Sequence, residues 1–327
     1  MDLLLSVIIP AYNEEKVIPN TVKIVSDVLN KVDIQWEILL IDDGSSDGTW
    51  KQIQSVAQES GGQIKGVRFS RNFGKESAIF AGLAQCQGDA AVMMDCDLQH
   101  PPEKIAEMVQ IWNGGKISVV EGVKRSRGKE SPVYRFFAKT FYRILKAVSG
   151  MELQGSSDFM LIDRAVIDTL LAMPERQPFF RALSQWTGFD RVQLEFDVSE
   201  GVDRPSKWSK WRLVRYALSN VTSFTNIPMH MVTVMGVIFF VFSVILFFQT
   251  LYMKFFKNAD NGFTTVILLL LITGSIIMFS IGILGMYIAK IYDEVKGRPR
   301  YVVRELTAAE AGEEKRSAKT VAEKRKE

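Results

Sequence analysis

The chain has 327 residues, a hydrophobic content of 47% and a formal net charge of only +3. That length admits two ordinary domains or one domain with a membrane part, and so small a net charge excludes a whole-chain polyanion binder, nucleic acid included. Two cysteines, Cys86 and Cys96, without CxxC spacing exclude a disulfide scaffold or a zinc site and fit a reducing cytosolic compartment.

Residues 3–9 are apolar, but the run is short, lacks a basic flank and ends at Pro10. It reads as a first buried strand rather than a signal peptide, which keeps the N-terminal domain in the cytosol. From there to about residue 200, short apolar runs alternate with amphipathic stretches. Strands are predicted at 4–9, 37–41, 64–69, 90–94 and 118–123, and helices at 17–29, 49–59, 75–84 and 103–113. Pro101-Pro102 ahead of Glu103 is good helix-start chemistry. The alternation predicts an α/β domain with a parallel-type sheet and helices on both faces.

Residues 207–223 place Trp208, Trp211, Val214, Leu218 and Val221 on one helical face and Lys207, Lys210 and Arg215 towards the other. That is a basic amphipathic helix suited to a membrane interface. Residues 231–253 and 261–289 then carry no charge. Each is longer than the roughly 20 apolar residues that cross a bilayer, so the pair reads as a transmembrane hairpin. Basic residues flank the hairpin on both outer sides, and the connecting loop carries only Lys254 and Lys257. The positive-inside rule puts both ends in the cytosol. Two-helix hairpins bury their faces against copies, which suggests a homo-oligomer. The predicted boundaries are 1–205 for the α/β domain, 206–226 for the amphipathic helix, 227–290 for the hairpin (spans at about 229–253 and 263–289) and 291–327 for a C-terminal segment. The charged tail from 308 lacks periodicity and reads as disordered.

Acidic clusters follow two of the predicted strands. Asp42-Asp43-Gly44-Ser45-Ser46-Asp47 follows the second, and Asp95-Cys96-Asp97-Leu98-Gln99 the fourth. Ligands of open α/β sheets bind at such strand ends. The first cluster suits contacts to a base or ribose, and equally a Gly-rich turn with Asp47 or Thr49 capping the next helix. The second can hold one Mg²⁺ or Mn²⁺ against a diphosphate. His100 reads as an exposed loop histidine.

In this order the motifs resemble the family-2 glycosyltransferases, whose fold is the GT-A (Rossmann-like) mixed sheet. The closer likeness is to the polyprenyl-phosphate glycosyltransferases, which include dolichol-phosphate mannose synthase and the bacterial bactoprenol glucosyltransferases. The quoted segments are Val7-Ile8-Ile9-Pro10-Ala11-Tyr12-Asn13-Glu14-Glu15, Ile41-Asp42-Asp43-Gly44-Ser45, Arg71-Asn72-Phe73-Gly74-Lys75 and Asp95-Cys96-Asp97-Leu98-Gln99 with Pro101-Pro102-Glu103. The resemblance runs from residue 6 to about 300. It implies nucleotide contacts from Pro10, Tyr12, Glu14, Asp42, Asp43 and Asp95. It implies a metal and diphosphate site at Asp95, Asp97 and Gln99, with Mg²⁺ or Mn²⁺ as cofactor. Arg125, Arg127, Ser131 and Arg135 resemble the loop that takes the acceptor's phosphate. Arg204 and Lys207 match the basic residues of the diphosphate clamp, and Asp158, in Ser157-Asp158-Phe159-Met160, matches the proposed catalytic acid. Two departures stand out: Cys96 where Ala is common, and His100 where the family often has an acid.

The implied activity is inverting transfer of a hexose from a nucleoside diphosphate sugar to a membrane polyprenyl phosphate, in a bacterial inner membrane. UDP-glucose is the first choice of donor, with GDP-mannose and UDP-4-amino-arabinose types open. A lipid phosphate monoester has a second pKa of about 6 and is largely anionic at neutral pH, so Asp158 orients the acceptor as readily as it deprotonates it. A processive polysaccharide synthase fits less well. Gln177 and Arg181 match part of its Gln-x-x-Arg-Trp motif, but Ala182 replaces the Trp, and one hairpin makes no pore. A non-catalytic membrane scaffold leaves the acidic set unexplained.

Overall fold

The chain is described here from a computed structural model, for residues 3–125, 156–175, 179–197, 227–256 and 263–307. Arg127, Ser131, Arg135, Gln177, Arg204, Lys207, the 206–226 helix and the tail from 308 lie outside the described residues. The chain divides into two compact units. One is built from the residues up to 206, apart from 147–149, together with 299 onward, and the other centres on 207–298.

Among the described residues, the first unit is built on an eight-stranded sheet. Its strands are β1 (Leu4–Ala11), β2 (Gln35–Asp42), β3 (Ile64–Phe69), β4 (Ala90–Met93), β5 (Val119–Lys124), β6 (Ser156–Asp163), β7 (Arg191–Phe196) and β8 (Val303–Leu306). They lie in the order β7-β5-β6-β4-β1-β2-β3-β8. The centre, β4-β1-β2-β3, is parallel, while β6 and β8 run antiparallel to their neighbours. The sheet is therefore mixed, not purely parallel. The central strands read as near-continuous apolar runs because helices cover both faces. Leu5, Val7, Ile8, Ile9, Ile38, Leu39, Leu40 and Ile41 are all fully buried.

Between the strands run α1 (Ile18–Leu29), α2 (Thr49–Glu59), α3 (Lys75–Gln85) and α4 (Lys104–Asn113), each within a residue of its predicted bounds. After β6 come α5 (Arg164–Ala172) and α6 (Phe180–Trp186). The Asp163 side chain caps α5 by accepting from the Ala165 amide at 2.7 Å.

Residues 299–307 return to this unit. Strand β8 pairs with the edge of β3, and Glu305 accepts from Trp50 Nε1 at 2.9 Å and Arg68 at 3.1 Å. Tyr301 stacks on Phe69 with ring centres 5.0 Å apart. The sequence pattern placed this stretch in a separate C-terminal segment, but physically it completes the sheet and covers an otherwise open strand edge.

The second unit contains α7 (Ile227–Phe256) and α8 (Phe263–Val295). Residues 269–295 of α8 are long and apolar enough to cross a membrane. Among the residues whose side chains are described, the apolar stretch found in α7 is Val232–Leu246. Both helices expose large apolar side chains; Phe240 is 70% exposed and Leu270 67%.

Candidate active site

The parallel strands deliver their C-terminal ends to one edge of the sheet, and the motif loops leave from there. The loop after β1 is tied to the loop after β2 by backbone and side-chain bonds. The Asp43 amide donates to the Ala11 carbonyl, the Asn13 amide to Ser45 Oγ and the Ser46 amide to Asn13 Oδ1, all at 2.9–3.0 Å. Asn13 takes a positive φ of 56° to do so, a conformation asparagine tolerates. Gly44, at φ 68°, turns the second loop against the Arg71 backbone, where a Cβ would collide.

These loops border a cleft of about 310 Å³ lined by Pro10, Ala11, Tyr12, Glu14, Asp43, Asn72, Gly74, Lys75, Asp95, Cys96 and Asp97. Of the predicted nucleotide contacts, Pro10, Tyr12, Glu14, Asp43 and Asp95 are thus brought together, with Tyr12 48% exposed at the rim. Asp42 is not among the lining residues; it is fully buried. Its Oδ1 accepts from the Ser45 amide, and its Oδ2 lies 3.4 Å from Arg68 Nε, an ion pair without hydrogen-bond geometry. Asp43 accepts from the Phe73 and Gly74 amides, so it fixes the start of α3 as well as facing the cleft. Burial pushes its carboxyl above the usual range, against the pull of those two amides.

The loop after β4 folds back on itself. The Gln99 amide donates to Asp97 Oδ1, Leu98 takes a positive φ of 57°, and the Asp95 amide donates to His100 Nδ1 at 3.1 Å. His100 is not an exposed loop residue. It is 3% exposed, stacked on Phe159 and edge-on to Phe196, and burial pulls its pKa down to about 4. It is a neutral acceptor that shapes the loop. Cys96 is likewise buried, and burial, then the Glu14 charge, push its thiol up to about 12. No thiolate ligand is offered there. Gln99 is half-buried and is not among the cleft-lining residues.

Strand register brings the distant acid into place. Antiparallel pairing sets Met93 of β4 opposite Met160 of β6. The ladder ends there, and just beyond it Asp95 and Asp158 come close enough to share one lysine ammonium. Two carboxylates this close need cations between them, and two residues with no sequence-based role supply them. Lys75, at the start of α3, lies 2.5 Å from Asp95 Oδ1 and 2.6 Å from Asp158 Oδ2. Arg181 holds Asp158 from the other side, Nε to Oδ1 and a terminal nitrogen to Oδ2 at 2.9 Å. Glu76 places Arg181, because its carboxylate accepts from the Phe180 amide at 2.9 Å. Burial, then the Asp158 charge, push Glu76 up to about 7. Burial acts to raise Asp158 too, but the Arg181 hydrogen bond and the Lys75 charge hold it well below the usual carboxylate range.

Lys75 and Arg181 had sequence signals, the Arg71-Asn72-Phe73-Gly74-Lys75 motif and the Gln-x-x-Arg spacing, but neither signal named a partner. Lys124, at the end of β5, is pulled below the usual lysine range by burial, with Asp95 and Asp97 as facing charges. Arg125 instead pairs at the surface with Glu195 at 3.1 Å and Asp197 at 3.7 Å.

The acidic loop fits a divalent cation. Asp95 and Asp97 are hard oxygen donors bordering an open cleft. Among the described residues no group of three His, Cys, Asp or Glu forms a metal-holding set. Such a two-carboxylate site suits Mg²⁺ or Mn²⁺ that takes its remaining ligands from phosphate oxygens and water.

The sequence pattern of "Glycosyl transferase family 2" matches residues 6–171, which include every cleft-lining residue named above. An uncharacterized glycosyltransferase of Synechocystis is 35% identical over 313 residues, 95% of this chain and 98% of that one. A bactoprenol glucosyl transferase of Shigella phage SfII is 34% identical over 306 residues, 92% of this chain and 97% of that one. A solved structure, mannosyl-3-phosphoglycerate synthase from Rubrobacter xylanophilus, is similar over 68% of this chain and 74% of its own, with 16% identity and a TM-score of 0.46. The chain belongs to glycosyl transferase family 2, and its mixed α/β domain is of the GT-A kind.

Proposed function

We propose that this chain transfers a hexose, glucose first, from a nucleoside diphosphate sugar such as UDP-glucose to the phosphate of a membrane polyprenol, with inversion. The observation that carries this reading is the 34% identity to a bactoprenol glucosyl transferase along 92% of this chain, well beyond the catalytic domain. Family membership alone supports a sugar transferase; the likeness through the long helices supports a lipid acceptor.

In this reading Pro10, Tyr12, Glu14 and Asp43 border the nucleoside end of the donor, with Asp42 supporting the turn from below. Asp95 and Asp97, with Gln99 in the same loop, would hold Mg²⁺ or Mn²⁺, which would supply positive charge to the leaving diphosphate. Arg204 and Lys207 add to that charge, which is the main electrostatic task of the reaction. Arg125, Arg127, Ser131 and Arg135 receive the acceptor phosphate. Asp158 orients the acceptor and balances Arg181 and Lys75. Its depressed pKa makes it a poor proton acceptor, and the acceptor phosphate is already charged. The interfacial helix at 206–226 and the hairpin at 227–290 hold the cleft at the headgroup level of a bacterial inner membrane. The catalytic domain and both termini face the cytoplasm, and the helices associate with copies of themselves.

The test is transfer of radiolabelled sugar to undecaprenyl phosphate by the purified protein in detergent with Mg²⁺. The expected result is a lipid-extractable product from UDP-glucose, strong competition by UDP and weak competition by GDP. Label transferred from GDP-mannose alone would replace glucose with mannose, and no lipid-linked product from any donor would overturn the reading.

A further inference from the structure

Lys75 enters the reading above only as a charge balanced by Asp158, yet its ammonium also reaches Asp95. It bonds Asp95 Oδ1 at 2.5 Å and Asp158 Oδ2 at 2.6 Å. Its backbone is anchored, because the preceding Gly74 amide is bound by Asp43. Its side chain is 40% exposed and lines the cleft, so its long stem can swing. Asp158 does not depend on it, since Arg181 holds both of its oxygens. Asp95 has no such second cation at contact distance among the described residues. The same Asp95 is the proposed carboxylate for a divalent cation. Lys75 occupies Asp95 Oδ1, so a divalent cation binding the same carboxylate meets a like charge within a few ångströms, a repulsion that favours release of the ammonium on its long stem.

We propose that Lys75 is the resident counter-ion of Asp95, that a divalent cation displaces it, and that the released ammonium then binds a phosphate oxygen of the donor in the same cleft. Without the metal, Lys75 keeps Asp95 and Asp158 from repelling each other. With it, the lysine becomes a phosphate ligand, so metal and nucleotide binding are coupled through one side chain. This rests on the metal reading of Asp95 and Asp97.

The experiment titrates Mn²⁺ alone, then UDP with Mn²⁺, into the full-length protein in detergent, following free Mn²⁺ by electron paramagnetic resonance. Removing a competing cation at this range should tighten Mn²⁺ binding by about tenfold in Lys75→Met. The same variant should bind UDP about tenfold more weakly in saturating Mn²⁺. These changes have opposite signs, so a misfolded variant cannot produce both. Lys75→Arg, which keeps the charge, should not tighten Mn²⁺ binding. In the wild-type protein, brief acetylation read by mass spectrometry should label Lys75 several-fold more with Mn²⁺ than without, while Lys104 stays constant. Mn²⁺ binding no tighter in Lys75→Met, or labelling of Lys75 that does not rise, overturns the displacement. UDP binding that does not weaken overturns the phosphate role. Loss of Mn²⁺ binding in Asp95→Asn marks the metal reading as sound, so those failures then fall on Lys75 alone. Mn²⁺ binding unchanged in Asp95→Asn sinks the metal reading and this proposal with it.

Discussion

Arg181 grips both oxygens of Asp158, with its terminal nitrogen 2.9 Å from Oδ2, in the part of the sheet where β6 runs beside β4. A carboxylate clamped this way keeps its charge and gives little to a proton. Its folded pKa is depressed, so the stability of the pair is present above the unfolded value of 3.8 and is lost only as pH falls below it. Asp158 itself should therefore give no acid limb in kcat/KM between pH 5 and 8; a limb there should follow the acceptor phosphate, near 6, or Glu76, near 7, and Glu76→Gln separates the two. Arg181→Lys loosens the clamp and should leave that limb in place while lowering the rate. A limb that shifts with the Arg181 substitution and persists in Glu76→Gln would identify Asp158 as the titrating base. Asp158→Asn should cost about 10²-fold or more in turnover, since it leaves two cations facing a neutral amide.

His100 gives the domain an acid-sensitive joint. Its Nδ1 accepts the Asp95 amide while its ring lies buried between Phe159 and Phe196. The folded pKa is lowered to about 4 from 6.5, so the stabilisation is complete above pH 6.5 and drains away as pH falls towards 4. The span corresponds to at most about 3 kcal/mol. Thermal unfolding in detergent should show Tm dropping by several degrees between pH 6.5 and 4.5. His100→Asn should start from a lower Tm and flatten that slope; a slope equal to wild type would count against His100 as the cause.

The apolar runs of β1 to β5 and the helices between them were legible because each is a local pattern. Residues 7–9 and 38–41 are apolar on both faces, and α2 ends where its amphipathic period ends. The acidic pair Asp95 and Asp97 was legible as a motif at a strand end. Lys75 and Arg181 were not assigned because their meaning depends on the β4–β6 register, which joins residues far apart in sequence. His100 looked exposed in a polar loop; its burial comes from Phe159 and Phe196 on distant strands. Strand β8 is four residues, Val-Arg-Glu-Leu, too short to show a period, and is held by an edge it meets only after the long helices.

Gly44 tests whether the turn after β2 must be built as it is. Its φ of 68° is strained for any L side chain, and an added Cβ would strike the Arg71 backbone, which cannot yield as a side chain tip could. Gly44→Ala should cost about 1–3 kcal/mol and displace Asp43 from the Phe73 and Gly74 amides. The expected readout is a Tm several degrees lower together with weakened UDP binding. Wild-type values for both would mean that the turn relaxes without consequence.

Glu305 carries the prediction for the returning chain. Its two carboxylate oxygens receive Trp50 Nε1 and Arg68, on α2 and β3, so one side chain pins β8 to a strand edge and to the helix above it. Thr307 adds a third tie, its hydroxyl accepting from the Gly66 amide at 3.1 Å. Glu305 is partly exposed, so its loss alone should cost only about 1 kcal/mol. Glu305→Ala should therefore lower Tm by a few degrees with the fold intact. Ending the chain at residue 299 should do far more, because β3 would become an open edge whose unpaired backbone groups can pair with other copies. Size-exclusion chromatography in detergent should show aggregate for the truncated protein and the wild-type profile for Glu305→Ala. A truncated protein that elutes and melts like wild type would mean that β8 is a passenger on the sheet.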